Sequence, residues 1–442
     1  MQGLKVCVVG TWHLGSVVSA CLSDIGFVVV GVDKDPKKVK NLNDAIPPVF
    51  EPGLRELLLK NIKLQRLSYT TEFSSGLKGA KYVLITYDIR GDSNDEIDLS
   101  DIFDASREMA KYLENGSVLI VSSQVPVGTC EQIKSTIKDI NPSLDFDVAC
   151  VPENLKLGQA LERFLHPKGM VIGAENRSTL DAVAGLFHFI DAPKIRVNLR
   201  TAEMTKHVLN AFLATSISFI NELANLCDKV GVDALKVASV LHLDERIGEK
   251  APLRPGLGFS GGTLSRDLNI LRNLGRKYGY ETHLIDAVLR VNERQSKLIL
   301  KRLKTIYGST RSLIIGVLGL TYKPGTSTLR HSVALDIIKD LTLDGATVKA
   351  YDPKASLEEV KLQDFVFCTD AYMVAKGSDA LVIVTAWPEF RNLDFDLVKS
   401  LMRKPVIIDA QNMLDAKELK GKGLLYFGVG RGNTKSFSRH YK

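Results

Sequence analysis

A lysine and an asparagine on one predicted helix are the pair in this sequence best suited to chemistry. Lys206 and Asn210 are four residues apart, which places them on the same face of the helix. An ammonium and an amide side by side could hold an alkoxide or oxyanion and order a water molecule. A solvated surface pair is the alternative, but the neighbouring residues are apolar on most sides, which favours a function for the pair.

The loop at residues 254–267 is the second candidate, because it has four glycines within seven positions. It reads Arg-Pro-Gly-Leu-Gly-Phe-Ser-Gly-Gly-Thr-Leu-Ser-Arg-Asp. Glycines let a backbone approach a ligand closely and adopt positive φ, and the charged residues add polarity at the same place. The sequence therefore predicts a ligand-binding loop. Its last residue, Asp267, is either a site residue or the N-cap of a helix beginning near Leu268.

A third candidate is the turn between the first predicted strand and helix. Residues 10–15 read Gly-Thr-Trp-His-Leu-Gly, whereas the dinucleotide-binding fingerprint is Gly-x-Gly-x-x-Gly. Gly10 and Gly15 are present, and Trp12 adds bulk where a phosphate would approach. Asp33, at the end of the next strand, is placed to bind both ribose hydroxyls and repel a 2′-phosphate, which favours NAD over NADP. The alternative is a turn that binds no cofactor, with Trp12 filling the core.

The elements that carry these sites form two α/β patterns. Continuous apolar strands alternate with helices in the first third of the chain and again from about residue 312, as in parallel sheets covered on both faces. Between them, a helix from about Ala202 to Val230 is apolar on most sides and is expected to be buried between domains or subunits. The prediction is an α/β fold with two Rossmann-like doubly wound domains, 1–198 and 306–442, joined by a long central helix within a helical domain at 199–305.

Composition is that of a soluble globular protein, with 442 residues, 45% hydrophobic, 25% charged and a net charge of +7. Neither an apolar run of membrane-spanning length nor a basic stripe with interleaved aromatics is present, so no membrane or nucleic-acid partner is expected. The first residues are too few for a signal peptide, which predicts a cytoplasmic protein. Cysteine and histidine spacings predict buried, reduced thiols and no metal site.

Short motifs along nearly the whole chain resemble those of the nucleotide-sugar 6-dehydrogenases, the UDP-glucose/GDP-mannose dehydrogenase family. The glycine loop is similar to the active-site loop of that family. Further matches occur in order at Glu51-Pro52-Gly53-Leu54, Val125-Pro126-Val127-Gly128-Thr129, Pro152-Glu153-Asn154-Leu155, the helix around Lys206, Arg246-Ile247-Gly248, Lys323-Pro324, Arg330, Tyr351-Asp352-Pro353 and Trp387-Pro388-Glu389-Phe390. The resemblance implies NAD-dependent oxidation of the C6 hydroxyl of a UDP-hexose toward the uronic acid.

The resemblance also implies roles for individual residues. The catalytic group would comprise Lys206, Asn210, Glu153 as a carboxylate base near C6, Asp267 as a water-orienting acid, and Thr263 at the nucleophile position. Cofactor contacts would come from Gly10, Trp12, His13, Leu14, Gly15, Asp33, Lys38, Gln124, Arg266 and Arg330. Substrate contacts would come from Glu153, Lys206, Asn210, Arg246, Arg254, Gly256, Gly258, Phe259 and Lys323. Arg246 would reach the site of a neighbouring subunit in a homodimer formed through the central helix. A plain loop carboxylate remains the alternative for Glu153.

Three departures from the family pattern fall on one half of its reaction. The family oxidises a primary alcohol twice, and its cysteine traps the aldehyde as a thiohemiacetal. This chain has Thr263 in place of that cysteine, Gln124 in place of an active-site threonine, and Leu157 in place of a second acid. A threonine hydroxyl is far less acidic than a thiol, and no activating histidine lies nearby in the sequence. Full oxidation, a single two-electron oxidation or epimerisation without a covalent intermediate, and binding without turnover all remain open.

Overall fold

The structure of the protein is a computed structural model that describes residues 3–89, 97–153, 155–329, 331–360 and 365–432. Arg330, expected to contact the cofactor, lies outside the described residues. The chain divides into two compact units, Met1–Leu209 and Asn210–Lys442, and the division falls inside the long central helix. The three predicted domain ranges stay a prediction.

The described part of the first unit contains an eight-stranded sheet in the order β3-β2-β1-β4-β5-β6-β7-β8. Its strands are β1 (Lys5–Val9), β2 (Val28–Val32), β3 (Leu67–Thr70), β4 (Tyr82–Ile85), β5 (Ser117–Val121), β6 (Phe146–Cys150), β7 (Met170–Ala174) and β8 (Lys194–Val197). Neighbouring strands are parallel except for the antiparallel pair β6 and β7. The first six strands have the doubly wound order of dinucleotide-binding folds.

Helices cover both faces of this sheet. They are α1 (His13–Ile25), α2 (Pro36–Asn43), α3 (Leu54–Lys63), α4 (Phe73–Leu77), α5 (Ser100–Met109), α6 (Thr129–Ile140), α7 (Ala160–Leu165) and α8 (Arg177–Leu186). Successive residues of β1 point into different cores, Val6 and Val8 into one and Cys7 and Val9 into the other. Because both faces are buried, the strands are continuous apolar runs, which is why the sequence pattern predicted them.

The long helix α9 (Leu199–Val230) begins a few residues earlier than predicted. It is followed by α10 (Ala234–Leu241), α11 (Gly262–Lys277), α12 (His283–Ser296) and α13 (Leu298–Tyr307). The expected start of a helix near Leu268 is wrong, because α11 begins directly after Gly261, whose φ of +81° ends the glycine loop. The N-cap alternative for Asp267 is therefore wrong as well, since this residue lies in the second turn of α11.

The second unit contains a parallel sheet in the order β11-β10-β9-β12-β13-β14. Its strands are β9 (Ile314–Leu318), β10 (Thr347–Tyr351), β11 (Val366–Phe367), β12 (Ala380–Ile383), β13 (Val406–Asp409) and β14 (Leu425–Gly428). Its helices are α14 (Val333–Leu343), α15 (Leu357–Val360), α16 (Ala371–Ala375), a 3₁₀ turn (Pro388–Arg391), α17 (Phe395–Leu401) and α18 (Ala416–Gly421). The strand order repeats that of the first unit, which confirms the prediction of two doubly wound sheets.

Two predictions from composition concern the chain as a whole. Among the described residues, no helix combines the length and the apolar character needed to cross a bilayer. All six cysteines are unpaired thiols. Cys7, Cys21, Cys130 and Cys150 are buried as expected, whereas Cys227 and Cys368 are partly exposed.

Candidate active site

The turn between β1 and α1 is shaped by two close backbone contacts. Gly10 has a φ of +88°, and a Cβ on it would stand 2.9 Å from the ring of Tyr87. A Cβ on Gly15 would stand only 2.0 Å from the carbonyl oxygen of Gly10. Thr86 donates its hydroxyl hydrogen to that same carbonyl oxygen over 2.7 Å. The sequence analysis missed Thr86 and Tyr87. They could have been found from their position directly after β4, because β4 pairs with β1 and its end therefore lies beside the turn.

Trp12 stands at the N-cap of α1 and does not fill the core. It is 40% exposed, and its φ of −73° needs no glycine. No side chain among the described residues caps the start of α1, so the first-turn N–H groups suit an anion. The core-filler interpretation of Trp12 is wrong, and the turn forms without the second glycine of the fingerprint.

Asp33 provides an ionised carboxylate at the end of β2. It is buried and accepts hydrogen bonds from the Thr11 N–H at 2.9 Å, the Lys38 ammonium at 2.7 Å and the Asp35 N–H at 3.1 Å. Burial would raise the pKa of Asp33, but the hydrogen bonds from Lys38 and Thr11 outweigh it and hold the pKa below its usual range. Asp33, Gly10 and Lys38 line a cleft of about 580 Å³. The residues present therefore fit the adenosine half of NAD.

A second cavity in the first unit brings together Glu153 and Lys206. It measures about 280 Å³, and most of its lining is apolar, including Leu14 from the first turn of α1 and Leu155. The Glu153 carboxylate accepts a hydrogen bond from the Leu155 N–H within its own loop. Two charged groups at an apolar cavity can act on a polar reacting group with little competition from water. Lys206 is partly buried here, so the solvated-surface alternative does not describe it.

Two buried residues fix the part of α9 that carries Lys206. Glu203 accepts hydrogen bonds from the Gly128 N–H at 2.6 Å and the Cys130 N–H at 2.7 Å. The ring of His207 donates through Nε2 to the Val125 carbonyl oxygen at 2.8 Å. These bonds fasten α9 to the loop after β5, the loop that contains Gln124, which is partly buried. Sequence reasoning missed Glu203 and His207; the signal was two polar residues, four apart, on an apolar helix.

Asn210 and Asp267 form a buried hydrogen-bonded pair in the second unit. The Asn210 side-chain amide donates to Asp267 Oδ2. Asp267 is fully buried, and Arg266 Nε stands 3.4 Å from its other oxygen. Thr263 lies one turn earlier on the same helix, in an exposed position. Three of the predicted site residues, Asn210, Arg266 and Asp267, are therefore in contact through the Asp267 carboxylate.

The glycine loop is held by amide side chains from α12. Asn292 accepts from the Phe259 N–H at 2.7 Å and donates to the Phe259 carbonyl oxygen at 3.0 Å. Gln295 donates to the Gly256 carbonyl oxygen at 2.6 Å. A Cβ on Gly258, where φ is +88°, would stand 2.2 Å from Asn292 Oδ1. The loop glycines thus admit the side chains that clamp the loop, a role the sequence analysis missed because the partners are distant in sequence.

Two basic residues expected to bind substrate lie with this loop. Arg254 is exposed and donates to the Asn412 carbonyl oxygen at 3.0 Å. Lys323 has its ammonium 5.4 Å from the centre of the Tyr322 ring. The Tyr322 carbonyl oxygen accepts from the Ser260 hydroxyl at 3.3 Å. The second unit therefore gathers Arg254, Lys323 and the glycine loop in one region.

Arg246 lies on the surface of the second unit. Its side chain is 89% exposed and pairs with Asp244, two residues earlier, at 2.6 Å. Its expected role toward another subunit stays a prediction. Among the described residues, no cluster of histidine, cysteine and acidic side chains is arranged to hold a metal ion.

Three features place the protein in the class of NAD-dependent oxidoreductases. They are the doubly wound sheet, the ionised acid at the end of β2, and the cavity with a lysine and a carboxylate. Residues 4–191 match the UDP-glucose/GDP-mannose dehydrogenase family, NAD binding domain. Residues 200–294 match the central domain of that family, and residues 316–416 match its UDP binding domain. The chain belongs to the UDP-glucose/GDP-mannose dehydrogenase family, which confirms the resemblance carried by its motifs.

Individual relatives extend over almost the whole chain. UDP-glucose 6-dehydrogenase TuaD of Bacillus subtilis is 37% identical over 430 residues, covering 97% of this chain and 93% of the relative. UDP-glucose 6-dehydrogenase of Rhizobium meliloti is 35% identical, covering 97% of this chain and 100% of the relative. A solved UDP-glucose dehydrogenase from Pyrobaculum islandicum has a TM-score of 0.86 at 30% identity, covering 97% of this chain and 98% of the other. Fold and sequence agree on the family.

The clamp on the glycine loop generates a first prediction. Asn292→Ala removes both hydrogen bonds to Phe259 and leaves a backbone N–H without its acceptor, at a cost on the order of 1–3 kcal/mol. We expect the Phe259 amide to exchange with solvent about 10-fold faster or more, measured by hydrogen–deuterium exchange. Asn43→Ala is the control, because it removes a matching pair of bonds to the Tyr69 backbone, each at 2.9 Å, in the first unit. Equal exchange at Phe259 in the Asn292 variant and the unchanged protein would contradict the clamp.

Proposed function

We propose that the protein oxidises the C6 hydroxyl of a UDP-hexose, with UDP-glucose as the first substrate to test. The single observation that carries the proposal is the apolar cavity lined by both Glu153 and Lys206. Family membership and the UDP-glucose 6-dehydrogenase relatives support the nucleotide sugar. A panel of nucleotide sugars with NAD, followed by NADH formation and product mass, tests the proposal. Absence of NADH with every member of the panel would overturn it.

The cofactor contacts follow from the turn after β1. NAD, when bound, supplies the hydride acceptor. Asp33 accepts from the ribose hydroxyls, and Lys38, which already pairs with Asp33, limits the charge at that place. The remaining proposed cofactor residues are Gly10, Trp12, His13, Leu14, Gly15, Gln124 and Arg266. The first-turn N–H groups of α1 suit the pyrophosphate.

Glu153 and Lys206 divide the chemistry of the first oxidation. The carboxylate of Glu153 accepts the proton of the C6 hydroxyl. The ammonium of Lys206 stabilises the alkoxide that develops on the oxygen as hydride leaves carbon. The apolar lining strengthens both effects, because few water molecules compete for the charges. Asn210 holds Asp267, and Asp267 orients a water molecule for any later hydration step.

Thr263 decides how far the reaction goes. A threonine needs an adjacent base to become a nucleophile. The nearby Asp267 carboxylate already accepts from Asn210 and Arg266. The first hydride transfer needs no nucleophile, so it is retained. The second candidate function, favoured by Thr263, is a single two-electron oxidation or an epimerisation. If the acid does form, it must form through a hydrated aldehyde instead of a thioester. The Glu153 and Lys206 cavity argues against a protein that only binds the sugar.

Lys206 provides the direct test of alkoxide stabilisation. Lys206→Ala should lower the rate of NADH formation by on the order of 10²-fold or more at saturating substrate, because the oxyanion loses its cation. Lys229→Ala, on the same helix, is the matched control and should keep the rate. Circular dichroism verifies the fold of both variants. Near-normal turnover of a folded Lys206→Ala protein would reduce this lysine to a structural role.

Thr263 generates a prediction about covalent chemistry. Intact-mass measurement during turnover with UDP-glucose and NAD should detect no sugar-nucleotide adduct, since a hydroxyl is a poor nucleophile without a base. Thr263→Ala should retain much of the first oxidation, and Thr263→Cys should acquire a thiohemiacetal adduct. The number of NADH molecules per sugar separates the candidate reactions: two for the acid, one for the aldehyde, none for epimerisation. An adduct mapped to Thr263 would reject the noncovalent route.

We further propose that the protein is a cytoplasmic homodimer formed through α9. In the second unit this helix carries Phe212, Phe219 and Leu226, which are 68%, 52% and 55% exposed. Their spacing of seven residues puts them along one side of the helix, as in helices that pack on a partner helix. An apolar row of this kind is expected to be covered by a second copy. Exposed Arg246 would then serve the partner's site.

The dimer is tested by placing a charge in the middle of this row. Phe219→Glu should halve the mass measured by sedimentation velocity, because a carboxylate cannot be buried there without a partner. Leu343→Glu is the control, since Leu343 is 77% exposed at the end of α14 and is not part of the row on α9, and should leave the mass unchanged. A monodisperse, fully active monomer of the unchanged protein would rule out the dimer.

A further inference from the structure

The Glu51 carboxylate in the first unit accepts hydrogen bonds from two separate parts of the chain. Glu51 is 3% exposed and lies between α2 and α3. One oxygen accepts from the Ala160 N–H at 2.7 Å. The other accepts from the Gly158 N–H at 3.0 Å and lies 3.0 Å from His13 Nε2. Because a carboxylate only accepts, His13 must carry its hydrogen on Nε2.

The two parts of the chain belong to different halves of the proposed chemistry. His13 is the first residue of α1 and lies in the turn assigned to the cofactor pyrophosphate. Gly158 and Ala160 end the loop that carries Glu153 and begin α7. Leu155 of the same loop donates to the Glu153 carboxylate. One buried carboxylate therefore connects the cofactor turn with the loop of the proposed base.

This connection is stiff because solvent has little access to it. The side chain of Glu51 is only 1% exposed, and that of His13 is 13% exposed. A buried carboxylate that loses a donor cannot recover the bond from bulk water. If His13 moves, Glu51 must therefore either move with it or lose one of the hydrogen bonds to its carboxylate. Through Glu51, a movement of His13 is felt at residues 158–160.

We propose that Glu51 is a positioning residue that transmits dinucleotide binding at the turn after β1 to the loop carrying Glu153. The proposal rests on the proposed function only in taking NAD as the ligand of that turn. It differs from a plain helix cap, which would hold residues 158–160 equally well with or without NAD. The His13 bond to Glu51 is the link that a plain cap would not need.

Hydrogen–deuterium exchange on the full chain with NAD alone tests the coupling. In the unchanged protein, saturating NAD should slow exchange of the Gly158 and Ala160 amides several-fold. His13→Ala leaves both backbone bonds to Glu51 in place, so its exchange without NAD should stay close to normal. The slowing by NAD should disappear, with saturation verified by calorimetry. His13→Gln, whose amide can still donate to Glu51, should restore part of the slowing.

Asn43→Ala is the matched control for a lost backbone clamp. Asn43 binds the Tyr69 N–H and carbonyl oxygen, each at 2.9 Å, in the same unit, and these bonds do not involve Glu51. This variant should show the full slowing at Gly158 and Ala160. Two results would overturn the proposal while leaving the proposed function intact. One is slowing by NAD that survives in His13→Ala. The other is NAD binding to the unchanged protein without slower exchange at these amides. Failure of NAD to bind the unchanged protein would overturn both.

Discussion

Buried carboxylates must be satisfied by hydrogen-bond donors, and this requirement organises the candidate site more than any other interaction. Asp33, Glu51, Glu203 and Asp267 are each at most 3% exposed. A buried charge is tolerated only when it is paired or hydrogen-bonded, so each of these acids draws backbone or side-chain donors toward it. Glu203 holds α6 against α9, and Glu51 holds α7 against α1. Glu51 and Glu203 thus position backbone and side chains near the proposed site without being proposed to contact a ligand themselves.

The strands and the acid at the end of β2 could be predicted from sequence because their signal is local. The four apolar residues of β1 followed by Gly10, and β2 followed by Asp33, reveal a doubly wound sheet without knowledge of tertiary contacts. The start of α11 could not be predicted, since it depends on the φ of Gly261. The clamp by Asn292 was equally hidden, because 33 residues separate it from Phe259. Residues that bind a backbone far away in sequence have no periodic pattern to reveal them.

Each of the two sheets has an aspartate directly after its second strand in chain order, but the hydrogen-bond donors to the two aspartates differ. Asp352 follows β10 as Asp33 follows β2, and it accepts from the Leu320 and Thr321 N–H groups at 2.7 and 2.9 Å. Its further donor is the indole of Trp387, at 2.9 Å, which is anchored in a hydrophobic core. Asp33 has the partly exposed Lys38 in the corresponding role. A lysine can move when a ribose hydroxyl arrives, whereas a core tryptophan cannot, so only Asp33 can exchange a partner for a ligand.

The residues expected to depart from the family pattern concern one step of the proposed reaction more than the other. In the proposed reaction, hydride transfer relies on Glu153 and Lys206, which line a common cavity, and on the turn around Gly10. Acyl transfer depends on a nucleophile, and Thr263 stands at the exposed start of α11.

The partial positive charge at a helix start favours an anion there by up to about 1–2 kcal/mol. Each pKa unit corresponds to about 1.4 kcal/mol, so this effect lowers a pKa by only about one unit. Converting a threonine hydroxyl into a nucleophile requires far more, and the neighbouring Asp267 carboxylate is already engaged by Asn210. Under the proposed function, Thr263 at this position therefore separates the two oxidations: the first would be retained, and the second would lack its covalent route.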